Sequence, residues 1–366
     1  MFAALAKEAI KQPERIPSYV SHNLRKKWSE TKYNIHKRKE GIPGQKELIH
    51  DLIENEEFVL IILDSCRFDY FEEEFSKYIT GDLSRVWSAG NRTPRWTPNT
   101  WDREYDLDYL SGIIYPVSSD AYNDKGWDFD PEATFKNSIH VVPQHGPPTL
   151  SSKMLTEFAI QHFAKAERIR SVVHYPRPHQ PYVGERKIFS NRVKVKELVA
   201  AAEQHGFRDE IPDSVLSESE YVMAEEVLEW GISHSDYRQI PKEEYRVQER
   251  IADGRLTDEE LREAYRENLR HVLSEVKRLV KYLDCTVVVS ADHGEHLGAF
   301  SDELPGYCHP DYTHPVLREV PWFIVDDKSK NKKQLSESNV EIDRSKYKLD
   351  MTEQDVREQL RALGYR

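Results

Sequence analysis

The segment Thr286-Val-Val-Val-Ser-Ala-Asp-His-Gly-Glu-His-Leu-Gly298 ends an apolar run in a cluster of side chains able to bind a metal. Asp292 offers a carboxylate and His293 an imidazole at adjacent positions. Far upstream, Phe58-Val-Leu-Ile-Ile-Leu63 runs into Asp64-Ser65-Cys66-Arg67-Phe68-Asp69, so a second apolar run also ends on a carboxylate. A single Asp after a strand commonly caps the next helix or makes an Asx turn. Two such acids, one with a His beside it, point to a shared cation. Hard oxygen ligands plus one imidazole suit Mn, Mg, Ca or Zn, and the residues do not choose among them.

Both acids need strands to deliver them. Val287, Val288 and Val289 are β-branched and flanked by turn-forming residues, which suits an interior parallel strand, and ligands of open α/β sheets gather at the carboxyl ends of such strands. Leu261, Tyr265, Val272, Val276, Leu279 and Leu283 follow helical spacing, predicting a helix packed on the sheet just before the second acid-bearing strand. The expected fold is α/β: a three-layer α/β/α sandwich with a mostly parallel central sheet and a site at the strand ends. No Gly-rich phosphate loop or dinucleotide fingerprint competes with this reading.

Several motifs together resemble the sulfatase-like proteins of the alkaline phosphatase superfamily, a group that includes sulfatases, phosphonate monoester hydrolases and lipoteichoic acid synthase-like enzymes. They are Leu63-Asp64-Ser65-Cys66-Arg67-Phe68-Asp69, Ser88-Ala-Gly-Asn-Arg-Thr-Pro-Arg-Trp96, His174-Tyr-Pro-Arg-Pro-His-Gln-Pro-Tyr182 and Ser290-Ala-Asp-His-Gly-Glu295, in the family's order. Tyr307-Cys-His-Pro310 and Leu317-Arg-Glu-Val-Pro-Trp322 resemble the closing histidine and last core strand, so the likeness runs from roughly Glu57 to Asp326.

The resemblance implies that Asp64, Asp292 and His293 ligate one divalent cation and that Thr93 is a metal-bound nucleophile, its hydroxyl activated by coordination. Thr97 and Thr100 lie close by, and Thr93 is preferred on the family-like Ser-Ala-Gly approach. It further implies that histidines stabilise the charge on the transferred group. His179, stiffened by Pro178 and Pro181, leads as a catalytic and substrate-binding residue, with His309 next as a catalytic residue or a ligand of a second metal. His174 and Arg67 are candidates for substrate binding, Arg67 through a bidentate contact with the anionic ester. His296 and His314 rank below these, and Ser65 and Cys66 read as structural.

Departures from the pattern narrow the chemistry. Arylsulfatases carry two adjacent Asp residues after the first strand and a Cys-x-Pro-x-Arg signal for formylglycine. Here Ser65 follows Asp64, and none of the three cysteines has Pro and Arg at those offsets. A threonine nucleophile is instead similar to the lipoteichoic acid synthase and phosphoethanolamine transferase branches. The expected function is therefore a metal-dependent hydrolase of sulfate or phosphate esters of a carbohydrate or lipid-linked alcohol. The alternatives are a phospho-alcohol transferase or phosphodiesterase of the same superfamily, and a non-catalytic binder of anionic glycans or lipids. A two-metal phosphomutase or nucleotide phosphodiesterase needs a further Asp and His set that the sequence does not complete.

The 366 residues are 38% hydrophobic, enough for one large core, and the net charge of −12 disfavours a general nucleic-acid binder. The longest apolar run falls far short of a membrane span, and the N-terminus lacks the apolar core of a signal peptide, so the expected compartment is the cytoplasm. Cys66, Cys285 and Cys308 are too scattered for a disulfide framework. The chain divides into a basic helical arm at 1–56, a catalytic domain at 57–326 with a helical insertion over the site at about 184–254, and a charged linker with a C-terminal helix at 327–366. The arm clusters Arg25-Lys26-Lys27 and His36-Lys-Arg-Lys39, offering weak docking to a membrane surface or a protein. Thr352 opens the last helix, which buries Val356, Leu360 and Leu363 and stops at Gly364.

Overall fold

The computed structural model describes residues 18–113, 129–141, 151–298, 307–310 and 312–330. The helix expected from Thr352 and most of the charged linker lie outside these residues.

Twelve strands and thirteen helices are defined among the described residues. The chain opens with α1 (Ser18–Lys39) and α2 (Gln45–Ile53), then runs β1 (Phe58–Leu63), α3 (Phe68–Glu74), β2 (Gly81–Trp87), α4 (Thr93–Thr100), β3 (Tyr105–Ser111), α5 (Pro131–Thr134), β4 (Phe135–His140), α6 (Ser151–Phe163) and β5 (Arg170–Tyr175). A short hairpin, β6 (Tyr182–Val183) and β7 (Lys187–Ile188), leads to β8 (Asn191–Lys194), α7 (Val195–His205), α8 (Asp213–Glu218), β9 (Tyr221–Met223), α9 (Ala224–Glu229), α10 (His234–Gln239), β10 (Glu243–Glu244) and α11 (Val247–Ala252). The main domain closes with α12 (Asp258–Val280), β11 (Thr286–Ala291), α13 (Pro315–Arg318) and β12 (Glu319–Val325).

The central sheet has the order β2-β12-β11-β1-β5-β3-β4. From β11 to β4 every pairing is parallel, and only β12 is reversed, pairing antiparallel with both β11 and the edge strand β2. β1 and its neighbours β11 and β5 are almost wholly buried, which is why they read as unbroken apolar runs rather than alternating ones. Strand alternation assigns the layers. Phe323, paired with Val289, meets the rings of Phe71 and Phe75, so α3 covers the face on which Val289 lies. α12 packs on both α3 and α6, placing all three in that layer. Ser290 points the other way, onto Gln45 of α2, whose amide oxygen accepts from the Trp96 indole of α4. Helices thus cover both faces, as expected for the three-layer sandwich.

α12 follows the predicted periodicity, burying Leu261, Tyr265, Val272, Val276 and Leu279. Thr257 and Glu260 close a reciprocal capping box at its start, and its acidic first turn and basic last turn suit the helix dipole. The region at 184–254 differs from the all-helical expectation. It builds its own three-stranded sheet, β10-β8-β9, and a separate small core around Val193, Leu198, Phe207, Val222 and Val227. Strands of two to four residues are too short to show a period in sequence.

Candidate metal centre and active site

Strand register assembles the site. Leu63 of β1 pairs with Ala291 of β11 on one side and Tyr175 of β5 on the other. The residues that follow, Asp64, Asp292 and the His179 loop, therefore emerge together at the carboxyl edge. The backbone N–H of Asp64 donates to the Tyr175 carbonyl, and that of His179 to the Asp64 carbonyl. α12 clamps both loops from the side: Tyr265 Oη donates to the Ser65 carbonyl and accepts from the Arg67 N–H, while the Asn268 amide reaches the carbonyls of Pro178, His179 and Pro181 at 3.2 Å each.

Four side chains converge at the centre. Thr93 Oγ1 donates to Asp292 Oδ2 at 2.6 Å and lies 3.3 Å from His293 Nε2. His293 Nε2 is 3.3 Å from Asp292 Oδ2 and 3.5 Å from Asp64 Oδ1. Thr93, Asp292 and His293 are fully buried and Asp64 is 2% exposed, so bulk water cannot screen their charges. Of the three threonines near the motif, Thr93 is the one drawn to the acids. Thr97 turns its hydroxyl back onto the Thr93 carbonyl.

The imidazole orientation bears on what this cluster holds. His293 Nδ1 lies 2.7 Å from the Gly294 carbonyl, a contact that requires the proton on Nδ1. Nε2 then either carries a second proton, as an imidazolium, or turns a lone pair toward two carboxylates. The second arrangement is repulsive unless a cation sits between them, and a carbonyl-bound Nδ1–H is the usual second-shell partner of a metal-binding Nε2. Burial raises the Asp64 pKa well above the ordinary carboxylate range, reinforced by Asp292 and then Glu295. A divalent cation would reverse that penalty. Two carboxylates, an imidazole and a hydroxyl within a few ångströms are a chemically fitting donor set for one.

A second group, His179, Glu295 and His309, lies beside the first. The His309 ring is centred 5.2 Å from both His179 and His293, and its Nδ1 is 4.0 Å from Glu295 Oε1. Glu295 is 1% exposed, and burial pushes its pKa up to about 8, with Asp292 adding and Ser65, Arg67 and Cys308 opposing. Burial pushes His179 down to about 3 and His309 well below its ordinary value, so both rings are neutral at pH 7. His179 Nδ1 faces the Gln180 carbonyl at 2.7 Å, putting its lone pair on Nε2. The His309 side chain is the most exposed of the seven residues in the two groups, at 13%, and marks the side from which solvent reaches them.

Other candidates fall in different places. His174 is fully buried behind Asp292, with Nε2 3.9 Å from Oδ2 and Nδ1 2.6 Å from Tyr109 Oη. Burial lowers its pKa to about 4, and its position suits bracing a ligand rather than touching substrate. Arg67 turns Nε and Nη2 onto Asp69 at 2.9 and 2.5 Å and Nη1 toward the Glu295 carbonyl, so the fork expected to grip an ester is engaged within the protein. His314 caps α13, accepting from the Val316 N–H, and His296 forms a backbone bridge with Cys308.

Sequence reasoning missed several contributors. Ser65, taken as structural, gives its N–H to Asp292 Oδ1 and its hydroxyl to Asp64 Oδ1 at 3.2 Å. It does so in the left-handed region at φ 64°, a strained conformation for a serine that a functional turn can retain. Gln45 is fully buried and donates to Ser290 Oγ and the Ala291 carbonyl while accepting from Trp96, tying the helix of Thr93 to the strand of Asp292. Arg92 precedes Thr93, is half-buried, and lies close enough to His309 to depress its pKa. Arg177 is fully buried beside Asp64, and burial lowers its pKa to about 10. Gly294 has no room for a side chain, because a Cβ there would meet the Val316 carbonyl. Of these, only Gln45 stood outside the motifs that the sequence displays.

No family model matches the chain, and no curated protein matches it. Among solved structures, it is similar to the C-terminal periplasmic domain of a phosphoethanolamine transferase from Campylobacter jejuni, with 13% identity, 75% of this chain and 80% of that one covered, and a TM-score of 0.39. It is also similar to a phosphonate monoester hydrolase of Agrobacterium radiobacter, with 12% identity, 74% and 68% coverage and a TM-score of 0.38. A 2-O GAG sulfatase shows 10% identity, 86% and 75% coverage and a TM-score of 0.38.

Proposed function

We propose that this chain is a cation-dependent enzyme that cleaves or transfers phosphate or sulfate esters of a carbohydrate or lipid-linked alcohol, with Thr93 as nucleophile. The supporting observation is the convergence of Asp64, Thr93, Asp292 and His293 within 2.6–3.5 Å contacts at two adjacent strand ends and a helix start. A divalent cation held by these four residues would neutralise the carboxylates and lower the pKa of the Thr93 hydroxyl. Asp292 Oδ2, already accepting from Oγ1, receives the proton as Oγ1 attacks phosphorus or sulfur. The bond to the alcohol oxygen breaks and that oxygen takes up the proton held by Asp292, leaving the group on Thr93; a second acceptor hydroxyl then attacks the group, and its proton passes to Oγ1 as the Thr93 hydroxyl is restored. The His309 ring and the Arg92 guanidinium are the groups placed to stabilise the oxygens of the transferred group, whereas His179 presents the Nε2 lone pair and is placed to accept a proton.

Transfer to an alcohol rather than to water has its own support. The nucleophile and its partners are shielded from solvent, and a water-poor pocket suppresses hydrolysis of a covalent intermediate.

Parallel assays with an aryl sulfate, an aryl phosphate and a phosphodiester, with and without an added alcohol, rank the substrate classes. Thr93→Ala is expected to lower kcat by at least roughly 10³-fold. Asp292→Asn or His293→Ala is expected to lose activity and bound cation together. Cys66→Ala should keep activity, and mass spectrometry should find Cys66 unmodified. A fully active Thr93→Ala, or a formylglycine at Cys66, overturns the assignment. Inactivity on all three substrates with cation bound favours an anion-binding protein without turnover.

A further inference from the structure

α1 stands apart from the rest of this acidic chain. Its 22 residues carry seven bases, Arg25, Lys26, Lys27, Lys32, Lys37, Arg38 and Lys39, against one acid, Glu30, in a protein of net charge −12. Its inner face is anchored: Ser29 Oγ accepts from the Thr313 N–H, the Tyr33 ring meets His314 at 4.9 Å, and His36 Nε2 lies 2.8 Å from Glu319. Its outer face is unusual. Trp28 is 61% exposed and Ile35, two turns on, is 49% exposed. Only one other large apolar residue among those described, Ile324, is comparably open. Lys27, Arg38 and Lys39 are exposed around this pair, and the Lys32 ammonium sits 5.1 Å from the Trp28 ring centre. Glu30 lies on the side of the helix that favours the charge of Arg318.

We propose that α1 is an interfacial helix that docks the protein on an anionic lipid surface, with Trp28 and Ile35 entering the headgroup layer and the surrounding bases facing lipid phosphates. An exposed Trp and a branched aliphatic on one stripe, flanked by Lys and Arg, is the composition that lies in a bilayer interface. An acidic protein would satisfy the bases but would give no reason for a large open indole beside the Lys32 ammonium. No described helix is long and apolar enough to cross a membrane. The helix rests on the segment that follows His309, with the Asn91 amide bridging to the carbonyls of Pro310 and Tyr312. Docking would therefore hold the candidate site next to the lipid layer. The inference is independent of the ester chemistry, since binding is scored without turnover.

The test is flotation of the full chain with vesicles of phosphatidylcholine alone and of phosphatidylcholine with phosphatidylglycerol at roughly 3:1. Binding is expected only to the anionic vesicles and should weaken as salt rises. Each base near the surface contributes a factor of about 5, so the triple variant Lys27→Gln/Arg38→Gln/Lys39→Gln should bind on the order of 10²-fold more weakly. Trp28→Ser should abolish the vesicle-induced blue shift of tryptophan fluorescence. Unchanged circular dichroism shows that the variants remain folded. Equal binding by the triple variant, equal partitioning to neutral vesicles, or no vesicle binding at low salt overturns the proposal, the last also if an acidic protein binds instead.

Discussion

Replacing Gln45 by Leu should loosen the site without touching a single candidate ligand. Gln45 bonds to Ser290 Oγ at 2.7 Å, to the Ala291 carbonyl at 2.6 Å and to the Trp96 indole N–H at 2.8 Å, all in a fully buried setting. Ser290 keeps its own donor bond to the Pro321 carbonyl, so the loss falls on the other two groups. Each buried polar group left without a partner costs roughly 1–3 kcal/mol, and the apolar Leu recovers part of it, leaving a net loss of about 2–4 kcal/mol. Urea unfolding measures this directly. The structure also predicts how function divides. Asp64, Asp292 and His293 sit on the ends of β1 and β11 and should keep their cation, whereas Thr93 rides on α4, which Gln45 fixes to β11. A displacement of an ångström between nucleophile and its partner costs up to about 10²-fold in rate. The expected phenotype is therefore a fall in kcat of roughly 10- to 100-fold at unchanged cation content. Stability within about 0.5 kcal/mol of the parent, or cation loss in step with activity, would refute the reasoning.

Two further outcomes follow from the electrostatics. The cation-free protein should lose stability between pH 6.5 and 8. Glu295 has a raised pKa, so the folded state holds a proton that the unfolded state has released, and stability falls as pH climbs toward about 8; Asp64 acts in the same direction. His174 and His179, with lowered pKa values, add stability as pH rises only up to about 6.5, so above that pH the carboxylates act alone. Glu295 contributes about 2 kcal/mol over the window. Thermal unfolding in chelator against pH, repeated with saturating divalent cation, should show the decline and its disappearance; an identical profile in both would count against cation binding at these carboxylates. For the arginines, Arg92→Ala should raise KM or lower kcat for an anionic ester with little change in stability. Arg67→Ala should instead destabilise the fold, because its partners are Asp69 and the Glu295 backbone, and steady-state kinetics beside urea unfolding separates the two.

The strand ends were legible in the sequence because hydrophobic runs and abrupt polar stops are local signals. Phe58–Leu63 and Thr286–Ala291 announce buried strands, and Asp64, Asp292 and His293 follow them directly. α12 was legible for the same reason, through its 3.6-residue period. What tertiary structure decided concerns partners far apart along the chain. Thr93 meets Asp292 across 199 positions, and which of three threonines does so depends on how α4 lies against β11. Ser65 becomes a site residue only because a left-handed turn aims its N–H at Asp292, and backbone handedness leaves no mark on a serine. His174 and Arg67 look as suitable as any ligand or anion binder in isolation, yet one is sealed behind Asp292 and the other is engaged by Asp69. The second group of His179, Glu295 and His309 draws on the connections that follow β5 and β11, far apart along the chain, so no spacing rule exposes it. Side-chain identity fixes what chemistry is available, while burial, register and competing neighbours determine which residues are in position to perform it.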